Sequence, residues 1–258
     1  MNATRNLVAA SVVFLLLTIF MTFGNVQRSW SQDTPYQNLS KMGTATEEEE
    51  PFEEEHITTS DPLEPINRAF FTFNDKFYFW FLKPVGTVYG KVVPEGLRIG
   101  IKNAYRNVQF PVRVVNNTLQ GKFKGAGIEL SRFVINSALG FGGMIDIADR
   151  HFDLQPYEED SGQTLGFYGM KPMLYINWPF LGPSTVRDTI GEVSDGFLNP
   201  LFYLSPNFYV SGGVKGGTIM NNASLRIGEY EDFKASALDP YVSMRDAYLN
   251  YRAREIKR

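Results

Sequence analysis

A run of aromatic residues constrains the fold of this chain more than any other feature. The stretch FFTFNDKFYFWFLKP (Phe70–Pro84) has eight aromatic side chains within Phe70–Leu82, and Phe77–Leu82 is an unbroken run of six apolar residues. Consecutive helical residues point in every direction around the helix axis, so this segment has no face that favours water. It must be buried in a core, or part of its surroundings must be lipid.

The overall composition leaves both alternatives open. The apolar fraction of 43% is ordinary for a globular protein, whereas aromatic residues at 14%, including 21 Phe, are frequent. Aromatic rings carry a large apolar area, and Tyr and Trp also suit the boundary between apolar and wet regions. A phenylalanine-rich soluble core and a surface in contact with lipid are both compatible with this composition.

Charge is distributed unevenly along the chain and argues against a nucleic-acid partner. The net charge is −3, but residues 31–60 carry −7 and residues 61–258 carry +2. A nucleic-acid-binding protein would usually show a concentrated basic surface. The one short basic stretch, YRAREIKR at the C-terminus, is typical of a solvated helix end.

The first 60 residues predict two segments that precede the folded domain. Residues 1–30 contain Arg5 followed by 17 apolar or uncharged residues, Leu7–Phe23, with no clear cleavage site. That pattern indicates export, as a signal peptide or as an N-terminal membrane anchor. Residues 31–60 include TATEEEEPFEEEH, which has too little apolar area to order itself, so we expect a disordered acidic linker.

Residues 61–258 have a mostly helical pattern. DPLEPINRAFF predicts a helix with Asp61 as its N-cap and Pro62 at its first position, ending at Leu82 or Lys83 because Pro84 follows. A pair of later helices should be split at Pro111.

Further cap residues mark the later helices. Ser184 or Thr185 should cap one helix and Asp239 the last one. Only Met173–Phe180 looks extended, and there is no βαβ alternation. The predicted fold is a single all-α domain of roughly seven to nine helices.

Enzyme chemistry has little support in the sequence. The two histidines, His56 and His151, lack a metal-binding spacing, there is no cysteine, and the nucleophile-elbow and phosphate-loop motifs are absent. Asp146, Asp149 and Asp153 could form a carboxylate cluster for acid–base work or a cation, or they could cap helices and turns. We expect no enzyme activity, no cofactor and no metal.

Six stretches, read in order, resemble the VacJ/MlaA family of outer-membrane phospholipid-transport proteins, and the resemblance runs from Asp61 to Arg252. The stretches are DPLEPINRAFFTFN, NVQFPVRVVNNTLQG, ELSRFVINSALGFGGMIDIA, EDSGQTLGFYG, WPFLGPSTVRDTIGEVSDG and DPYVSMRDAYLNYR.

The resemblance implies a ring- or disc-like helical protein in the periplasmic leaflet of a Gram-negative outer membrane. Such a protein encloses an amphipathic channel, associates with a porin trimer and passes phospholipids to a soluble periplasmic carrier without making or breaking a bond. Phospholipids and the membrane would be its partners. The alternative function is an envelope structural or adaptor protein that binds porins and carries no lipid.

The resemblance also assigns expected roles to residues. A leaflet-embedded body could present the aromatic run to lipid, and the expected membrane-facing set is Phe77, Phe79, Trp80, Phe81 and Leu82, with an internal core as the alternative. Arg132 and Asn136 are candidates for polar positions on a channel wall, or for internal hydrogen bonds. An architectural role is expected for the family-motif residues Gln163, Thr164, Gly166, Gly182, Pro183, Ser184, Thr185, Arg187 and Asp188.

Two departures from the family pattern affect these expectations. Many members begin with a lipidated Cys, which this chain lacks, so anchoring falls to the N-terminal apolar segment or to the body. An uncleaved segment could instead tether the protein to the inner membrane. In addition, GMKPMLYINWPF stands where the family usually has a Gly-Pro-Tyr stretch.

Overall fold

The computed structural model describes residues 61–204 and 208–258. The predicted signal or anchor segment and the acidic linker lie outside the described residues. All described residues belong to one compact unit, Glu54–Arg258, which is mostly helical. The all-α class predicted from the sequence is confirmed. In the described residues no helix combines the length and the apolar character that a membrane span requires.

The elements follow one another with short connections. In chain order they are α1 (Glu64–Phe77), a π-helical turn (Tyr78–Leu82), α2 (Lys83–Val92), α3 (Glu95–Val108), α4 (Phe110–Leu119), α5 (Phe123–Leu139), α6 (Ile147–Phe152), α7 (Ser161–Phe167), β1 (Tyr175–Trp178), β2 (Gly182–Thr185), α8 (Val186–Leu198), α9 (Pro200–Leu204), α10 (Phe208–Ser224), α11 (Glu229–Ser236) and α12 (Pro240–Lys257).

The prediction that Asp61 caps the first helix is wrong. The N-cap position of α1 is Leu63, which has no side-chain cap. The Asp61 carboxylate instead accepts a hydrogen bond from Asn67 Nδ2 at 3.0 Å and contacts the Tyr241 hydroxyl of α12. A tertiary contact to the last helix has therefore replaced the local cap.

The prediction that Pro84 ends the helix is also wrong. The chain stays helical through the π-helical turn and continues as α2 with Pro84 in its first turn. Proline has no N–H and would clash with the carbonyl four residues earlier in a regular α-helix. The wider turn, in which Lys83 N–H bonds to the Tyr78 carbonyl, accommodates it.

Other local predictions are confirmed. The helices α3 and α4 are separated before Pro111, and Asp239 caps α12 by accepting from Tyr241 N at 3.0 Å. Thr185 caps α8 by accepting from Asp188 N at 3.1 Å. The extended stretch contains β1, which pairs antiparallel with β2, a strand that the sequence analysis assigned to the start of a helix.

The helices α7 and α8 pack closely at two glycines. A Cβ at Gly191 would lie 2.3 Å from the backbone nitrogen of Gly162, and a Cβ at Gly162 would lie 2.6 Å from Asp188 Oδ1. Contacts this short leave no room for any side chain. The closeness places the first turn of α7 against the motif residue Asp188.

This contact predicts opposite effects for two glycines of α8. We expect Gly191→Ala to lower the free energy of unfolding by about 2–3 kcal/mol, because the methyl group overlaps a backbone that cannot yield. Gly196→Ala has open space around its Cβ and should be neutral or stabilising by up to ~1 kcal/mol, as alanine is the better helix former. Thermal unfolding in detergent, followed by circular dichroism, measures both; equal melting temperatures would contradict the close packing.

Candidate functional site

The interior of the described residues is polar. Twenty buried side chains are polar or charged, and only six buried residues are apolar. Water-soluble proteins bury mainly Ile, Val, Leu, Phe and Met, and rarely bury Glu or Arg without a partner. The small apolar cluster that exists centres on Tyr175, Tyr241 and Leu249.

The helix α5 shows the inverted arrangement most clearly. One of its faces buries polar residues at positions i, i+3 and i+7, and the opposite face exposes large apolar residues. The buried set is Glu129, Arg132 and Asn136, and the exposed set is Phe123, Leu130 and Val134. An amphipathic helix of a water-soluble protein has the opposite orientation.

Two further helices repeat this orientation. The helix α8 buries Arg187 and Asp188, and α2 places Gly86 inside. Both helices expose apolar residues at i, i+3 and i+7, namely Ile190, Val193 and Phe197 in α8 and Val85, Val88 and Val92 in α2. Apolar faces on three separate helices cannot be explained as isolated exposed residues.

The second half of the aromatic run, Phe77–Leu82, lies at the surface of the described residues, whereas Phe71 packs against the apolar cluster. Trp80 is 78% exposed and Phe81 50%, and no residue of the π-helical turn is buried. The other three members of the expected membrane-facing set, Phe77, Phe79 and Leu82, are half-buried. Membrane contact by this set stays a prediction.

Neighbouring rings extend this aromatic surface. Phe77 stacks on Phe81 with ring centroids 5.2 Å apart and meets Phe180 edge-on at 4.9 Å. Phe180 and the adjacent Leu181, between β1 and β2, are both exposed. We call Phe73, Phe77, Trp80, Phe81 and Phe180 the aromatic surface.

The two channel-wall candidates, Arg132 and Asn136, are buried and bind the same carboxylate. Arg132 Nη2 lies 2.5 Å and Asn136 Nδ2 2.9 Å from the two oxygens of Asp146. Asn136 Oδ1 also accepts from Ala148 N at 2.8 Å. These are the internal hydrogen bonds that the sequence analysis gave as the alternative, although a small polar cavity of about 20 Å³ touches both residues.

Asp146, one of the three aspartates weighed for acid–base chemistry, has a structural partner set. Its carboxylate caps α6 by accepting from Asp149 N at 3.2 Å. Burial alone would raise the pKa of Asp146, but Arg132 and Asn136 lower it below its ordinary value, so the group is held ionised. In the described part of the chain no three His, Asp or Glu side chains converge as a metal site would require.

The family-motif residues contact other parts of the fold. Gln163 closes a capping box with Asp160 through two 2.7 Å hydrogen bonds at the start of α7, and the hydroxyl of Thr164 donates to Asn116 at 2.7 Å. Arg187 Nη2 donates to Asp188 at 2.9 Å. A Cβ at Gly166 would meet Ile256 of α12, and Gly182 has a positive φ of 83°. Pro183 pairs with Asn177 across the two strands, and the hydroxyls of Ser184 and Thr189 are 3.1 Å apart.

A cavity of about 500 Å³ lies between α3 and α4 on one side and α8, α9 and α10 on the other, with α7 and α12 completing its wall. Its lining mixes charged, polar and apolar side chains. The charged residues are Arg106, Arg113, Glu158, Glu159, Asp160, Glu192, Asp195, Lys215 and Arg252, and the apolar and aromatic ones are Tyr105, Val112, Leu201, Phe202, Val214 and Tyr251. Its volume is in the range of roughly 300–1,000 Å³ that small-ligand sites occupy.

Comparison with known proteins identifies the family. A profile described as MlaA lipoprotein matches residues 59–255. This chain belongs to the MlaA family. The resemblance stated from the sequence motifs is thereby confirmed.

Relatives and a solved structure agree with this membership. The chain is 34% identical over 192 residues to the intermembrane phospholipid transport system lipoprotein MlaA of Escherichia coli, covering 73% of this chain and 75% of that protein. The protein described by the same words in Haemophilus influenzae is 30% identical over 198 residues, 73% of this chain and 76% of that one. A solved structure, described as the structural basis for maintenance of bacterial outer membrane lipid asymmetry, matches with a TM-score of 0.69 at 31% identity. It covers 77% of this chain and 100% of that one.

The sequence did not predict the 500 Å³ cavity. Of the residues that line it, only Gln163 was among the predicted site residues. The lining comes from seven helices that are far apart in sequence. The one available signal was the mixed polar and apolar character of NVQFPVRVVNNTLQG and VSDGFLNP, which supply Gln109, Arg113, Asp195 and Asn199.

Proposed function

We propose that this chain moves phospholipids out of the outer membrane of a Gram-negative bacterium without chemical conversion, and so helps to maintain lipid asymmetry. Its body lies in the periplasmic leaflet, and a soluble periplasmic carrier receives the lipid. A porin trimer is the expected neighbour in the membrane. The named function of the Escherichia coli relative, intermembrane phospholipid transport, supports this assignment.

The observation that carries the proposal is the inverted distribution of polarity. Apolar faces of α2, α5 and α8 point outward while Glu129, Arg132 and other charged groups are buried. In water, each Å² of this exposed apolar surface would cost roughly 25 cal/mol of free energy relative to burial. The acyl chains of a membrane leaflet would remove these faces from water without that cost. The apolar side chains then need not pack inside the protein, and the interior can be polar.

The cavity supports passage of an amphipathic molecule. A fully apolar wall would leave a phosphate headgroup without hydrogen bonds, at a cost of several kcal/mol. A fully charged wall would exclude acyl chains. The lining of this cavity combines arginines and carboxylates with Val112, Leu201 and Phe202, so both parts of a phospholipid find matching groups.

Without a cysteine to carry a lipid, these residues need another form of membrane attachment. The named relatives are described as lipoproteins, whereas these 258 residues contain no cysteine. Attachment then falls to the N-terminal apolar segment or to the body, where the outward faces and the aromatic surface supply apolar side chains.

Two matched substitutions test whether the cavity holds lipid. Gly196 lines the cavity and Gly127 lies on the outward face of α5, and both have open space where a Cβ would stand. We expect Gly196→Trp to fill the cavity and to lower the phospholipid that co-purifies in mild detergent by about tenfold. Gly127→Trp should retain as much lipid as the wild type.

Mass spectrometry of the extracted lipid measures the amount per protein, and circular dichroism checks that both variants are folded. A wild-type protein without bound phospholipid would contradict the proposal and favour the adaptor function. Equal lipid loss in both variants would show that the cavity is not where lipid binds.

A further inference from the structure

Four of the five carboxylates that line the 500 Å³ cavity are neutralised by a basic side chain. Glu158 pairs with Arg106, Glu159 with Lys122 at 2.6 Å, Asp160 with Arg252 at 2.6 Å and Glu192 with Lys215 at 2.8 Å. These pairs use three of the four cations on the wall, Arg106, Lys215 and Arg252. The fourth, Arg113, is paired with the buried Glu129 at 2.5 Å.

The fifth carboxylate, Asp195, has no cationic partner among residues 61–204 and 208–258. It accepts from the Ser161 hydroxyl at 2.6 Å, from the Ser161 backbone N–H at 3.1 Å and from Asn116 Nδ2 at 3.2 Å, all on Oδ1. Its Oδ2 accepts only a second contact with the Ser161 N–H, at 3.2 Å. Burial, with the neighbouring Asp160 adding to it, raises the pKa of Asp195 above its ordinary value.

The wall thus carries one negative charge that hydrogen bonds stabilise but that no positive charge in the described residues neutralises. A half-buried carboxylate without a counter-charge is costly, and a bound cation removes that cost. Arg113 lines the same cavity, one turn before the Asn116 that bonds to Asp195. It donates from Nε to Glu129 and from Nη1 to the Arg106 carbonyl at 2.9 Å, which leaves its Nη2 available to an anion.

We infer that the cavity takes a zwitterionic phospholipid headgroup, with its ammonium group at Asp195 and its phosphate at Arg113. The inference rests on the proposed function and adds a headgroup preference to it. A phosphatidylglycerol headgroup has a phosphate but no cation, so it would leave Asp195 uncompensated. Phosphatidylethanolamine carries both charges and can pair with both Asp195 and Arg113.

The test is a competition between these two lipids. The 258-residue protein is incubated with detergent micelles that contain equal amounts of phosphatidylethanolamine and phosphatidylglycerol. It is then repurified, and its lipid is quantified by mass spectrometry. We expect about fivefold enrichment of phosphatidylethanolamine on the wild type, the upper range of a partly exposed ion pair. Asp195→Asn, which keeps the size and the Oδ1 acceptor, should lose the enrichment.

Two variants control for charge and for folding. Glu192→Gln combined with Lys215→Gln removes a neutralised pair from the same wall without changing its net charge, and should keep the enrichment. Asp195→Glu keeps the carboxylate and should also retain the phosphatidylethanolamine enrichment. This expectation holds even if Asp195→Asn fails to fold.

The outcomes separate the inference from the proposed function. Bound lipid at equal ratio on the wild type, or the same enrichment on wild type and Asp195→Asn, would overturn the headgroup preference while passage of lipid stands. No bound lipid on any protein would overturn both.

Discussion

Replacing Arg252 with methionine is expected to lower the free energy of unfolding by about 3–5 kcal/mol, the cost of removing one partner from a buried ion pair. Arg252, in α12, is 9% exposed. Its Nη1 donates to Asp160 at 2.6 Å, and its Nη2 donates to Asp188 at 2.8 Å. The guanidinium therefore joins three helices, because Asp160 caps α7 and Asp188 lies in the first turn of α8.

The carboxylates explain why the loss is large. Burial alone would raise the pKa of Asp188, but Arg252 and Arg187 lower it below its ordinary value. Without Arg252 the buried Asp188 keeps only Arg187 as a cationic partner, and the half-buried Asp160 loses its ion pair. Methionine keeps the aliphatic part of the side chain, so the loss comes mainly from the guanidinium with its charge and hydrogen bonds.

The pH dependence has a definite sign. A carboxylate with a lowered pKa in the folded state stabilises the protein above its unfolded pKa, and that contribution is lost as the pH falls. The difference between wild type and Arg252→Met should thus be largest near neutral pH and shrink below about pH 4, where aspartate protonates.

Thermal and urea unfolding of the purified proteins in detergent measure the loss. Arg254→Met, on the exposed side of the same helix, is the matched control and should change stability by less than ~0.5 kcal/mol. Equal effects of the two substitutions, or a difference that grows in acid, would contradict the assigned role of the buried network.

Local chemistry predicted the parts of this fold that depend on neighbouring residues. Thr185 and Asp239 cap their helices because a short side-chain oxygen reaches the free N–H groups two or three residues ahead. Asp61 has the same chemistry, yet its carboxylate binds Asn67 and Tyr241 instead. No residue near Asp61 in the sequence indicates that the hydroxyl of Tyr241, 180 residues later, contacts it.

The orientation of the helices could not be predicted from periodicity. The spacing of Glu129, Arg132 and Asn136 shows that they share a face of α5, but it does not say whether that face points inward or outward. In water the polar face would point outward. The observed direction depends on which solvent covers the other face, and that information is not carried by the pattern of one helix.

Substitutions in the aromatic surface are expected to weaken membrane binding strongly. In residues 54–258, which comprise the compact unit, Trp80→Ser combined with Phe81→Ser should reduce partition into phospholipid vesicles by about 500-fold. Each ring carries ~150–250 Å², and the exposed parts of these two correspond to about 4 kcal/mol at ~25 cal/mol/Å² when half of that area meets lipid. Vesicle flotation at limiting lipid measures the partition.

A second double variant that keeps the apolar area is the control. Trp80→Phe combined with Phe81→Leu keeps most of the apolar area and should bind nearly as well as the wild type. Trp80 and Phe81 are both exposed, so both double variants should stay folded, with melting temperatures close to that of the wild type. If residues 54–258 were a monodisperse monomer in water with no affinity for vesicles, the outward faces of α2, α5 and α8 would need a protein partner instead of lipid. Loss of binding only in the serine variant would instead place this aromatic surface in the bilayer.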